Sequence, residues 1–179
     1  MPEVSFIGSI DSTCCKSEVV SVTWGIVPGS SAWSLRSGED VGESQSALFD
    51  EGLGRAVLNH PIDVVYEASS TEGWPFIVCE VWDKSNEESR GFIGCGNVWL
   101  PPLPGKHSID VPIWRPTTSL LGSFVDTMVP NVPDLKKLRE LMVSPYMKSQ
   151  VKVIQIMTLF FMLFSYTLLL TIFFYRLIQ

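Results

Sequence analysis

The side chains that most often carry out catalysis or bind metals are few in this sequence and are poorly spaced for either role. The two histidines, His60 and His107, lie in segments that favour extended structure, and neither belongs to a nucleophile motif with a serine or cysteine. No His-x-x-x-His or Cys-x-x-Cys spacing, as in zinc sites, occurs in the chain. We therefore expect structural or surface roles for both histidines, and we predict no enzyme activity, no metal site and no cofactor.

The charge and the cysteines exclude further classes of function. The chain of 179 residues has a formal net charge of −6, and no basic patch interleaved with aromatic residues occurs before residue 130, so we predict no nucleic-acid partner. The N-terminus has neither the basic start nor the long apolar run of a secretory signal. We therefore expect free thiols in a reducing compartment at all four cysteines. These are Cys14, Cys15, Cys79 and Cys95.

One loop has the layout of a metal site but lacks its ligands. Residues 81–94 resemble the calcium-binding loop of C2-type sandwiches, in which aspartates gather around the ion. Here Asp83 holds the first of those positions, whereas Ser85 and Gly91 hold the next two. Because calcium takes about six to eight oxygen ligands, several of them from carboxylates, we predict no calcium site. Residues 91–96 are rich in glycine, but they lead into a strand and lack the helix N-terminus that binds phosphate.

The elements that position these residues are predicted to be strands. Residues 20–26 alternate strictly between large apolar side chains and small or polar ones, as a strand does when one face lies on a core. Residues 76–82 are apolar at nearly every position, which is typical of a strand covered on both faces. Pro112 favours an edge position for the last strand. The predicted strands cover residues 4–10, 20–26, 62–66, 76–82, 94–100 and 107–113.

Glycine and proline occupy the connections between these segments, a combination that predicts an all-β sandwich or barrel. Of these two, our prediction is the antiparallel β-sandwich. Residues 34–58 are rich in glycine, serine and glutamate and are only weakly patterned. We predict a long connection there, with room for one short strand.

The pattern changes after residue 116. Residues 133–142 place leucines at spacings of three, with basic side chains elsewhere around the turn, which predicts a short amphipathic helix. Two placements of this helix stay open: packing against the sandwich, or resting on an anionic membrane surface. Residues 119–150 are therefore predicted to be a linker that carries the helix, with the alternative that they finish the sandwich.

The C-terminal run is strongly apolar. Residues 153–175 contain no charged side chain, and sixteen of these 23 residues are Val, Ile, Leu, Met or Phe. As a helix the run would span about 34 Å, enough to cross a hydrocarbon core of about 30 Å. Basic residues precede the run and one, Arg176, follows it, so the sandwich would face the cytosol. We predict a transmembrane tail anchor over residues 151–175; the alternative is a closing strand at residues 149–156, followed by an apolar tail.

Eight short motifs, in a fixed order over about residues 3–116, resemble those of the B9-domain family. The motifs are Glu3-Val-Ser-Phe-Ile-Gly8, Trp24-Gly-Ile, Ala32-Trp33, His60-Pro-Ile-Asp63, Gly73-Trp-Pro-Phe-Ile-Val, Gly94-Cys-Gly, Leu100-Pro-Pro-Leu-Pro-Gly-Lys-His107 and Trp114-Arg-Pro116. The resemblance implies a C2-like sandwich over residues 1–118.

The resemblance also implies a function. It indicates a structural component of the tectonic-like (Meckel syndrome) complex at the ciliary transition zone, needed for cilium assembly and for the membrane diffusion barrier. The expected partners are other B9-domain proteins and further subunits of that complex, with no small-molecule substrate. The expected location is the base of the cilium, in the basal body, cytoplasm and cytoskeleton.

The chain departs from the family pattern at two places. Cys95 stands where the aromatic residue of the glycine turn usually lies. The family normally ends in a sandwich strand and a polar tail, whereas here an apolar run overlaps that strand. Whether the sandwich is complete therefore stays open.

Four tryptophans are the candidate interaction residues. Tryptophan is common in cores and at their rims, but it is also enriched among the residues that dominate binding energy at interfaces. The candidates are Trp74, Trp82, Trp99 and Trp114. The alternative function is calcium-independent lipid binding by a C2-like module tethered to a membrane.

Overall fold

The computed structural model describes residues 2–15, 17–86, 90–116 and 153–167, and the all-β class predicted from the sequence is confirmed within these ranges. The strands are β1 (Glu3–Thr13), β2 (Val19–Val27), β3 (Trp33–Gly38), β4 (Val41–Glu43), β5 (Ala47–Asp50), β6 (Arg55–Ala68), β7 (Phe76–Asp83), β8 (Gly91–Trp99), β9 (Gly105–Pro116) and β10 (Val153–Thr167).

The strands form one antiparallel sheet that curls back on itself. The order is β1-β10-β9-β8-β7-β2-β5-β6-β3, and β1 also pairs with β6, which closes the curl. On the other side the curl is closed by few strand pairings, because β5 forms only two residue pairs with β2 and two with β6 among the described residues. Within the described residues β4 pairs with β2 alone.

The core lies inside the curl. The four large side chains on the predicted inner face of β2 are at most 3% exposed, so that prediction is confirmed. Phe6 of β1 and Tyr66 of β6 pack edge to face with ring centroids 6.4 Å apart. The Tyr66 hydroxyl donates a hydrogen bond of 3.4 Å to the carbonyl of Ile26, which ties β6 to β2 across the core.

All six predicted strands are present, but the long connection predicted at residues 34–58 is wrong. That stretch contains most of β3, all of β4 and β5, and the start of β6. The apolar signal is missing because these are short strands at the rim of the sheet: in β3 every residue after Trp33 is exposed. Strands with little burial need few apolar side chains, so alternation is weak.

The predicted edge position of β9 is also wrong, because β8 and β10 flank it. Pro112 has no backbone N–H to donate, yet it lies in the middle of the strand. The ladder between β8 and β9 is registered at one residue pair, Cys95 with Trp114, so few hydrogen bonds are required of this edge of β9.

Residues 153–167 of the apolar C-terminal run form a strand, in a stretch where a transmembrane segment was predicted over 151–175 and a closing strand at 149–156 was the alternative. β10 (Val153–Thr167) lies between β1 and β9 and pairs with both along most of its length. A run of apolar residues fits a helix or a buried strand equally well, and two open strand edges favour the strand. No helix capable of crossing a bilayer occurs among the residues described. The predicted helix at residues 133–142, the whole of the linker at 119–150 and residues 168–179 lie outside the described ranges.

Two loops at one end of the curl are fastened to each other. The Gly29 amide donates a 2.9 Å hydrogen bond to the Gly73 carbonyl, and Trp33 Nε1 and Ser30 Oγ both donate to the Glu72 carbonyl, at 3.0 and 2.9 Å. Gly73 has a φ of 68°, and a Cβ there would lie 2.4 Å from the Ser30 nitrogen. Glycine is therefore required at this position of the Gly-Trp-Pro motif.

Candidate protein-binding surface

Strand β7 carries two opposite apolar faces. Ile77, Cys79 and Val81 point into the core, whereas Phe76 and Val78 belong to a second apolar cluster on the outside of the curl. Every residue of β7 except the last is buried, which confirms the prediction that this strand is covered on both faces. The sheet therefore has a second apolar layer that is separate from the main core.

The outer cluster is rich in aromatic side chains. Trp82 and Phe92 pack edge to face at 5.3 Å between ring centroids, and Phe76 and Trp99 do the same at 5.1 Å. Trp114 of β9 packs against the same cluster. We call these five residues the aromatic face. It brings together three of the tryptophans singled out in the sequence.

Trp99 is the exposed part of the aromatic face. Its side chain is 61% exposed, whereas Trp82 is 7% exposed. The β8–β9 loop that follows exposes Leu103 to 70%, and a 2.8 Å contact between His107 Nε2 and the Leu103 carbonyl holds this loop to the start of β9. An exposed tryptophan supported by a buried aromatic layer is typical of an interface anchor.

Trp74, the fourth candidate, lies elsewhere. It packs against the main core, with its ring centroid 5.0 Å from Trp33 and 6.2 Å from Phe6. Its Nε1 donates a 2.8 Å hydrogen bond to the carbonyl of Leu100. These contacts join the β6–β7 loop to the β8–β9 loop, so Trp74 supports the loop end on which Trp99 is presented.

The glycines of β8 have a role that sequence reasoning did not find. A Cβ on Gly96 would lie 2.2 Å from the Pro112 carbonyl oxygen, and a Cβ on Gly94 would lie 2.8 Å from the Trp114 carbonyl oxygen. The Gly-Cys-Gly segment is therefore part of a strand that passes unusually close to β9. This contact places Cys95 beside Trp114, which belongs to the aromatic face.

The loop with a calcium-site layout is organised by hydrogen bonds within the protein. Asp83 Oδ1 accepts a 2.8 Å hydrogen bond from the Ser85 amide, and hydrogen bonds from Ser85 hold the pKa of Asp83 below its ordinary value. The Ser85 hydroxyl in turn accepts a 3.2 Å bond from the Val19 amide. Within the described ranges, no group of three or more potential metal ligands is assembled.

The histidines and cysteines are dispersed. The His60 ring lies 5.9 Å from that of Trp24 on the far side of the curl, and burial lowers its pKa. The cysteines are free thiols. Burial, with the neighbouring Glu80 carboxylate as a smaller cause, raises the pKa of Cys79 and Cys95. Both thiols therefore stay protonated and unreactive at neutral pH.

The described residues form an all-β curled sheet that carries an aromatic outer layer beside an ordered loop end. The chain matches the model of the B9-C2 family, described as ciliary basal body-associated B9 proteins, over residues 4–156. The chain belongs to this family. The family resemblance stated from the motifs is therefore confirmed.

Individual relatives agree with the family assignment. The chain is 33% identical over 136 residues to B9 domain-containing protein 2 of Rattus norvegicus and 33% identical over 137 residues to that of Homo sapiens, covering 75% of this chain and 77% of each relative. It is 32% identical over 107 residues to B9 domain-containing protein 1 of Mus musculus, covering 57% of this chain and 51% of that relative.

Proposed function

We propose that this chain is a non-enzymatic assembly module with a C2-like sandwich fold, which binds sister B9-domain proteins in the complex of the ciliary transition zone. In this role it supports cilium assembly and the membrane diffusion barrier. Membership of a family associated with the ciliary basal body supports the location. The aromatic face, with Trp99 as its exposed anchor, supports the mode of action.

The observation that carries the proposal is the exposure of Trp99 above a buried aromatic layer. Phe76 beneath it is 2% exposed, so the anchor rests on a fixed support. Removing a tryptophan that anchors an interface typically costs about 2 kcal/mol or more, which corresponds to a roughly 30-fold loss of affinity.

The experiment measures binding of the purified full-length chain to purified sister B9-domain proteins by calorimetry. We expect Trp99→Ala to weaken one of these interactions about 30-fold while leaving the melting temperature nearly unchanged. Leu48→Ala is the matched control, because Leu48 is 70% exposed and lies on β5, away from the aromatic face. Equal losses in both variants, or no loss in either, would contradict the proposal.

The lipid-binding alternative is separated by flotation with vesicles of neutral and anionic phospholipids. If the chain is an assembly module, any binding to vesicles should be independent of the aromatic face, and Trp99→Ala should leave it unchanged. Vesicle binding that Trp99→Ala abolishes would favour the lipid module instead.

A further inference from the structure

The curl has a gap in its hydrogen-bonded ladder. On the edge of β6 that faces away from β1, β5 pairs with residues 55–56 and β3 pairs with residues 64–68. In the described part of the chain, no strand pairs with this edge between those points, although β1 pairs with the opposite edge along most of β6, with one register break between Val57 and His60. β4, which lies across the gap, pairs with β2. Two strand edges with open backbone groups thus face each other.

A crevice of about 260 Å³ occupies this gap. Its lining comes from β2, from the β3–β4 turn, from β4 and from β6. The volume is below the roughly 300–1,000 Å³ of typical small-molecule sites, so it fits one long side chain with its backbone. The side chains that give the crevice its chemistry are those of Trp24, Glu39, Glu43, His60 and Asp63.

The crevice is acidic. Three of its side chains are carboxylates, and Glu43 already pairs with Lys84 and Arg90, at 2.6 Å each. Glu39 and Asp63 make no ion pair with any residue that the structure describes. Burial lowers the pKa of His60, so this ring is neutral at pH 7 and adds no positive charge.

The crevice also contains a buried donor with no acceptor. Trp24 is 3% exposed, and its Nε1 has no hydrogen-bond partner among the residues whose positions are described. The backbone of β4 lies directly against the ring, since a Cβ on Gly42 would be 3.0 Å from three atoms of the indole. Buried polar groups in proteins are almost always satisfied, so an unpaired donor in a crevice points to a missing acceptor.

We propose that this crevice binds an extended segment of a partner polypeptide that carries an arginine or lysine side chain. The segment supplies what the crevice lacks: backbone groups for the open strand edges, a carbonyl acceptor for the unpaired Trp24 Nε1, and a cation for Glu39 and Asp63. An extended peptide that adds to an open strand edge is a known mode of recognition. This site is separate from the aromatic face, and it stands or falls independently of the function proposed above.

The test uses the full-length protein and a blocked peptide, acetyl-Thr-Arg-Thr-Arg-Thr-amide, whose arginines share one face of an extended strand. Binding is followed through the indole ¹H–¹⁵N resonance of Trp24, assigned with the variant Trp24→Phe. We expect saturable shifts of this resonance, and affinity about fivefold lower for Glu39→Gln/Asp63→Asn, as two partly exposed ion pairs are lost. The same peptide with citrulline in place of arginine should bind as weakly.

The matched control is Glu18→Gln/Glu51→Gln, which removes the same charge at two exposed carboxylates outside the crevice. It should bind the arginine peptide like the unmodified chain. If the control lost as much affinity for the arginine peptide, the effect would be general charge attraction and the proposal would be overturned. A Trp24 resonance that does not shift on addition of the peptide would also overturn it. A Trp24 resonance that moves with protein concentration alone would assign the crevice to a second copy of the chain, which also overturns it.

Discussion

Replacing Gly96 by alanine tests the close passage of β8 against β9. The added Cβ would lie 2.2 Å from the Pro112 carbonyl oxygen and 2.9 Å from Cδ1 of Ile113, distances that real Cβ atoms essentially never show. Neither neighbour can move easily, since one is backbone and Ile113 is 0% exposed. Overpacking of a tight interior typically costs about 1–3 kcal/mol. A clash with backbone belongs at the upper end of that range, about 3 kcal/mol.

In a chain of this size, such a change lowers the melting temperature by roughly 6–12 °C. The assay is thermal and urea unfolding monitored by circular dichroism. It compares Gly96→Ala with the unmodified full-length chain and with the control variant Gly52→Ala. A Cβ on Gly52 would have one neighbour within 4 Å, the side-chain oxygen of exposed Asp50 at 3.2 Å, so this substitution should change the unfolding free energy by less than about 0.5 kcal/mol. A Gly96→Ala protein as stable as the control would refute the close strand contact.

Three further predictions follow from individual contacts. Trp74→Phe removes the donor to the Leu100 carbonyl and should lower the unfolding free energy by about 1–3 kcal/mol, measured in urea. Because burial lowers the pKa of His60, its stabilising contribution is complete above the ordinary value of 6.5 and is lost as pH falls below it; the urea midpoint of His60→Asn should therefore fall less between pH 7.5 and 5.5 than that of the unmodified chain. Glu43→Gln weakens the contact with Arg90 and should cost about 0.5–1 kcal/mol, an effect that high salt should diminish.

The sequence predicted those strands in which the pattern of buried residues matches the two-residue repeat of a strand or covers the strand completely. β2 and β7 were found because one alternates and the other is apolar throughout, and both patterns arise from their distinct positions in the sheet. β3, β4 and β5 were missed because their side chains are mostly exposed, so folding imposes no pattern on them. β10 was predicted as a helix because an uninterrupted apolar run does not reveal its partner.

The candidate surface was half predictable for a related reason. Composition identified the tryptophans, but only strand register brings Trp82 and Trp114 onto one face and places Trp74 against the core. The acidic crevice had no sequence signal at all, since Glu39 and Asp63 come from separate turns and strands. It exists because β3 leaves β6 at Gly38, where a Cβ would meet the Asp63 carbonyl oxygen at 2.1 Å.

The hydrogen bonds that fasten the β2–β3 loop to the β6–β7 loop bear on how readily a partner could dock at that end of the molecule. The register that aligns Val27, Phe76 and Trp99 places these loops at the same end as the exposed indole. Loops that are already immobilised lose little conformational freedom when a complex forms, so more of the contact energy is retained as affinity. A substitution at Gly73 would disturb the hydrogen bonds of both loops together, and it would raise the conformational cost of any association at this end of the molecule.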